Sequence, residues 1–207
     1  MFDALFTTTT EYKKLSHALS GKGACALFGL PASGRAQVYA ALCRQLDKPL
    51  CIVTPGEAEA TRFAADLNTL GIPAAVFPAR DYVLRPIEGT AREYEYRRLA
   101  VLGELVGGRL RAVAVPAEAL TQFTTPKEDF CANTRTLHTG DTLLRDDLLA
   151  ALFGAGYTRR AQVDGPGQFS VRGDIVDIFA PDQKMPVRME FWGDEIDTLH
   201  TLSLIHI

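Results

Sequence analysis

LCIVTPGEAEATRFAADLNTLGIPAAVF, residues 50–77, reads as a strand, a helix and a second strand separated by proline and glycine stops. The run Leu50–Thr54 is a strand broken by Pro55, the helix Glu57–Leu70 ends at Gly71, and Ala74–Phe77 is the next strand. Leu50-Cys51-Ile52-Val53 is apolar throughout, as a strand covered on both faces is expected to be. Upstream, Thr8-x-x-Glu11 has the form of a capping box opening a helix to about Leu19. A strand over Ala24–Phe28, a glycine-containing turn and a helix from Arg35 to about Leu46 follow. Downstream lie a helix over Thr90–Val106, closed by Gly107-Gly108, and a strand over Arg111–Val115, stopped by Pro116. Strands and helices in this rhythm predict βαβ crossovers and a mainly parallel sheet.

After Phe123 the rhythm changes. Arg135–His138 reads as a short strand, and Arg145–Phe153 as a helix closed by Gly154 and Gly156. Short alternating strands then follow at Tyr157–Val163, Gln168–Val171, Asp174–Phe179, Val187–Trp192 and Glu195–Leu199. The stretches between them, Gly165-Pro166-Gly167, Pro181-Asp182 and Gly193-Asp194, are turn chemistry. The expected fold class is α/β. A mainly parallel sheet domain, residues 1–123, precedes a smaller α+β domain with an antiparallel sheet, residues 124–207.

The 207 residues are 47% hydrophobic and 23% charged, an ordinary composition for a globular protein and too apolar for a disordered one. No apolar run approaches the roughly 18 residues of a membrane span, so no membrane association is expected. Met1-Phe2-Asp3 has no basic n-region, which points away from a secretory signal and towards the cytoplasm. Cys25, Cys43, Cys51 and Cys131 form no C-x-x-C pair and His17, His138, His200 and His206 no ligand pattern, so neither zinc nor a disulfide framework is expected. Reduced thiols buried in apolar segments are expected instead. Residues 1–125 carry 14 basic against 12 acidic side chains, residues 126–207 carry 8 against 13. An acidic second half is a poor footprint for gripping a nucleic-acid backbone.

Gly29-Leu30-Pro31-Ala32-Ser33-Gly34-Arg35-Ala36 has the glycine spacing of a phosphate-binding P-loop in the strand-to-helix context such a loop requires. The two positions that carry the chemistry differ. Arg35 stands where a lysine would reach the outer phosphates, and Ala36 lacks the hydroxyl that would hold magnesium. The turn is therefore a degenerate P-loop, with Gly29, Ser33, Gly34, Arg35 and Ala36 not expected to bind nucleotide and no cofactor expected for this chain.

In Val187-Arg188-Met189-Glu190-Phe191-Trp192, strand alternation puts Val187, Met189 and Phe191 on one face and Arg188, Glu190 and Trp192 on the other. By the same reasoning Phe169 and Val171 point inward, and Arg172 points outward beside Ser170. A tryptophan among arginines suits an interface anchor. It equally suits an arginine stacked on a half-buried ring for local stability.

The runs Gly165–Phe179 and Pro186–Ile196 resemble the UvrA-interaction domain shared by UvrB and the bacterial transcription-repair coupling factors (the Mfd family). Phe77-Pro78-Ala79-Arg80-Asp81-Tyr82 and Arg92–Leu99 resemble the UvrB-like domain that precedes it in the coupling factors. The coupling factors fit better than UvrB. The P-loop is degenerate, and the ten residues between Tyr82 and Glu93 are too few for UvrB's damage-probing hairpin. The resemblance implies an adaptor without enzymatic activity that recruits UvrA to RNA polymerase stalled at a lesion. RNA polymerase, DNA, ATP and Mg²⁺ would be engaged by other parts of the full-length translocase. The family's UvrA-contacting positions fall on Arg172, Arg188 and Trp192, with Glu190 on the same face. Phenylalanine is frequent in the family at the last of these, so Trp192 departs from the pattern while keeping a flat aromatic. The strands that complete the family's first domain lie outside this chain, and the tail, residues 203–207, leaves the family pattern and is given no role. The alternatives are a UvrB-like ATP-dependent damage-recognition subunit and a general nucleic-acid-binding module.

Overall fold

The computed structural model describes residues 7–21, 24–46, 48–80 and 91–202. The chain forms two compact units, Met1–Leu84 with Glu104–Phe123 and Arg85–Gly103 with Thr124–Ile207.

The first unit is built on a three-stranded parallel sheet. Its strands are β1 (Leu50–Thr54), β2 (Ala74–Val76) and β3 (Ala112–Pro116), in the order β1-β3-β2. The helices are α1 (Thr10–Ser20), α2 (Ala32–Gln45) and α3 (Glu57–Thr69), with a short α5 (Ala117–Leu120) after β3. Ala40 and Cys43 of α2, Ala60, Phe63, Ala64 and Leu67 of α3, and Ile52, Ala112 and Ala114 of the sheet share one buried core. Arginines close two helix ends. Arg111 Nη2 donates to the carbonyls of Cys43 and Leu46 at the end of α2, and Arg44 Nη2 donates to Leu70 O after α3. Both place a cation on carbonyls that the helix itself leaves unpaired.

Several expectations need correction here. Thr9, not Thr8, caps α1, its hydroxyl accepting from the Tyr12 amide at 3.3 Å. Ala24–Phe28 forms no strand, and Leu27 and Phe28 are 47% and 88% exposed. A strand needs a neighbour to pair with, and β1 pairs with β3 alone among the described residues. β1 is consequently an edge strand whose Cys51 and Val53 are exposed, so it is not covered on both faces. β3, in the centre, is buried at every position. Of the four cysteines Cys43 alone is buried; Cys25, Cys51 and Cys131 are exposed.

The second unit contains the first part of α4 (Ala91–Val106), then α6 (Lys127–Ala132), α7 (Arg145–Gly154) and a five-stranded sheet. The strands, β4 (Thr158–Arg159), β5 (Gln168–Arg172), β6 (Ile175–Phe179), β7 (Val187–Trp192) and β8 (Glu195–Thr201), pair in sequence order. The sheet is mixed, not purely antiparallel, because β4 runs parallel to β5. The strand expected at Tyr157–Val163 shrinks to Thr158–Arg159, and Arg135–His138 is irregular. The helix α6 has no counterpart among the expected elements; it follows Pro126 and carries Glu128 and Asp129 in its first turn. Residues 81–90, which include Thr90 and the Asp81-Tyr82 element, lie outside the described residues.

One face of this sheet is buried against α7. Phe169, Val176, Met189, Phe191 and Ile196 form the core with Leu148 and Leu152. The β5–β6 and β7–β8 connections are Gly173-Asp174 and Gly193-Asp194, with positive φ only at the glycine, the pattern of a type II′ hairpin turn. At Gly167 (φ 73°) a side chain would meet the Tyr96 hydroxyl of α4, so this turn admits only glycine.

Truncating Phe191, 6% exposed in this core, to alanine is expected to destabilise the second unit by about 3–5 kcal/mol. Urea denaturation followed by far-UV circular dichroism measures it, and a loss under 1 kcal/mol contradicts the assigned core.

Candidate partner-docking face

Burying Met189 and Phe191 in the core leaves Arg188, Glu190 and Trp192 on the opposite face of β7, as strand alternation requires. Register extends that face across the sheet. Arg172 pairs with Ile175, Ile175 with Glu190, and Glu190 with Thr198. Arg172 and Glu190 therefore stand two strands apart, about 10 Å at the usual strand spacing. The β7–β8 register shifts at Glu190/Phe191, but the alternation along β7 is unbroken.

β5 and β7 run in the same direction, each paired antiparallel to β6. Each ends in one residue of the candidate set followed by a Gly-Asp turn: Arg172-Gly173-Asp174 and Trp192-Gly193-Asp194. Arg172 and Trp192 are thereby displayed at one end of one face. Arg145, at the start of α7, fixes the first turn by donating to Gly173 O at 3.0 Å and Asp174 Oδ1 at 3.1 Å. Arg172 is exposed, with Nη2 donating to Ala161 O at 3.1 Å. Trp192 is 83% exposed. Among the described residues no arginine stacks over its ring, so the geometry departs from the local-stacking arrangement.

Arg188 is differently placed. Its Nε donates to Asp177 Oδ1 at 2.7 Å and its Nη2 to Asp177 Oδ2 at 2.9 Å, a bidentate pair between adjacent strands. The Asp177 side chain is 7% exposed and that of Arg188 30%. Ser170, directly across from Asp177 on β5, donates its hydroxyl to Asp177 Oδ2 at 3.3 Å. The hydrogen bond to Asp177 pushes the Arg188 pKa above its ordinary value, against a smaller opposing effect of burial. Sequence reasoning treated Arg188 as a free outward cation, and it is half-buried and neutralised. The face is therefore of mixed charge, with Arg172 as its exposed arginine and Glu190 beside it. Asp177 was missed; the available signal was a lone acid at the centre of the apolar strand Ile175–Phe179.

In the other unit, the glycine-rich turn lacks the surroundings of a phosphate loop. Among the described residues no strand precedes it, and α2 begins at Ala32, before Gly34. Gly29 has φ 77°, the Gly34 amide donates to Pro31 O at 2.9 Å, Arg35 lies 3.8 Å from Glu59 and Ala36 is buried. Ser33 is within the helix, and its side chain lies outside the described residues. Among the described residues no group of His, Cys, Asp and Glu is arranged to hold a metal. Burial raises the thiol pKa of Cys43, which disfavours the thiolate a nucleophile needs.

Residues 136–206, which contain the whole β4–β8 sheet, match the family model described as the UvrB interaction domain. This segment is similar to that family. It sits in a chain whose similarity to curated proteins runs well beyond it. The chain is 38% identical over 182 residues to the transcription-repair-coupling factor of Mycobacterium tuberculosis, covering 84% of this chain and 14% of that protein. It is 28% identical over 179 residues to the transcription-repair-coupling factor of Bacillus subtilis, covering 86% and 15%. It is also 28% identical over 193 residues to the UvrABC system protein B of Chlorobium limicola, covering 86% and 28%. The chain thus spans about one seventh of the coupling factors it matches. These likenesses agree with the resemblance read from the sequence. No helix among the described residues is long and apolar enough to cross a membrane.

Trp192→Ala is expected to leave thermal stability within about 0.5 kcal/mol of the parent, as an exposed site does. Arg188→Ala is expected to cost about 2 kcal/mol, because it strands the buried Asp177 carboxylate. Differential scanning calorimetry of both variants checks the contrast.

Proposed function

We propose that this chain is an adaptor module of a transcription-repair coupling factor, and that the Arg172–Trp192 face of its UvrB interaction domain docks UvrA during nucleotide excision repair. The observation that carries this reading is Trp192. A large aromatic ring 83% exposed at a hairpin tip buries little surface within the fold, whereas such rings dominate binding energy at interfaces. Arg172 at the same end and Glu190 on the same face supply the polar contacts that fix orientation. Recruitment of UvrA to stalled RNA polymerase, contact with DNA and ATP-driven translocation belong, in this proposal, to the longer protein.

With purified UvrA, Trp192→Ala is expected to weaken binding at least thirtyfold, about 2 kcal/mol, and Arg172→Ala severalfold. Titration calorimetry on the folded variants decides it. Wild-type affinity in both variants removes the docking assignment.

The second reading, a UvrB-like ATP-dependent subunit, draws support from the UvrABC system protein B relatives. Its nucleotide site would need a lysine and a magnesium-holding hydroxyl where Arg35 and Ala36 stand. We propose accordingly that the chain takes no nucleotide cofactor. Calorimetric titration of ATP with Mg²⁺ is expected to show no saturable binding, and a micromolar magnesium-dependent site would favour the second reading.

A further inference from the structure

Ser170, Asp177, Arg188 and His200 lie side by side on four successive strands, from β5 to β8. The row sits on the face opposite the core, yet Ser170 and Asp177 are 1% and 5% exposed. A buried carboxylate gains little net stability from an ion pair, because desolvation offsets the attraction. What such a pair does fix is geometry. Asp177 grips Arg188 by its Nε–Nη2 edge, and Ser170 in turn holds Asp177 Oδ2. A guanidinium has five N–H groups, so this grip leaves both Nη1 protons and the second Nη2 proton. Nη1 makes no hydrogen bond among the described residues.

We infer that Asp177 and Ser170 are positioning residues for partner binding: they clamp one edge of Arg188 so that its Nη1–Nη2 edge is held ready for a carboxylate or carbonyl of the docking protein. The inference rests on the docking role proposed above. Clamping is useful because a free arginine loses rotamer freedom on binding, and the clamp settles that loss during folding. It also makes a lysine inadequate at this position, since an ammonium cannot share two edges between two acceptors. The partner group is expected to approach end-on, with Asp177 already satisfied.

The test is a double-mutant cycle on the full chain with purified UvrA, with affinity referred to the concentration of folded protein. Asp177→Asn is expected to weaken binding about three- to tenfold in the parent and to have no further effect in an Arg188→Ala background. A merely structural Asp177 would shift thermal stability without this non-additivity. Arg188→Lys, which keeps the charge and loses the fork, is expected to bind no better than Arg188→Ala, and Ser170→Ala about twofold worse than the parent. If Asp177→Asn does not fold, these two variants carry the test. Parental affinity in Arg188→Lys overturns the clamp, as does parental affinity in a folded Asp177→Asn. If Trp192→Ala weakens binding while the clamp variants do not, the clamp alone is wrong. If Trp192→Ala, Arg172→Ala and Arg188→Ala all bind like the parent, the docking role falls and the clamp with it.

Discussion

Burial of Phe169, Val176, Met189, Phe191 and Ile196 beneath α7 is the constraint from which the rest of the second unit follows. Side chains alternate along a strand, so seating these five inward commits their neighbours outward. Arg172, Asp177, Arg188, Glu190 and Trp192 occupy one face for that reason, with no further instruction. The apolar burial supplies the stability, and the polar face is free to be specified by something else.

That division explains why the face is not uniform. Its centre, Ser170 and Asp177, is withdrawn from solvent and internally hydrogen-bonded, whereas its end, Arg172 and Trp192, is open. A rigid polar centre beside an exposed aromatic is how many binding surfaces divide labour: one part sets orientation and the other supplies buried area. The first unit shows the reverse situation. Its core lies between α2, α3 and the sheet, but among the described residues β1 has an open edge, and apolar Val53 of β1 and Phe28 of the preceding segment stand in solvent.

The legible parts of the fold were those encoded locally. Gly-Asp turns and period-two strands fix the hairpins of β5 to β8 within a few residues, and proline and glycine stops bound α3, β1 and β3. The illegible parts depended on a neighbour. Ala24–Phe28 has strand composition, but pairing decides whether a strand exists, and composition says nothing about that. Tyr157–Val163 lost most of its expected strand for the same reason. The inward and outward assignment of Arg172, Arg188 and Trp192 was available from alternation alone. The state of Arg188 was not, because Asp177 lies eleven residues away across a connection, 180–186, whose length does not set register.

That connection has a consequence for how such a sequence can change. Between Gln168 and Trp192 every residue of β5, β6 and β7 is locked to one face or the other, so inserting or deleting a single residue within a strand would turn Arg172 or Trp192 into the core. The Gly-Asp turns admit no slack either, since their two residues close tight hairpins. The loop 180–186 joins two strands whose mutual register is held by side chains, not by its own geometry. Length variation among descendants of this domain is therefore expected to accumulate in that loop and to be nearly absent from the rest of the hairpin array.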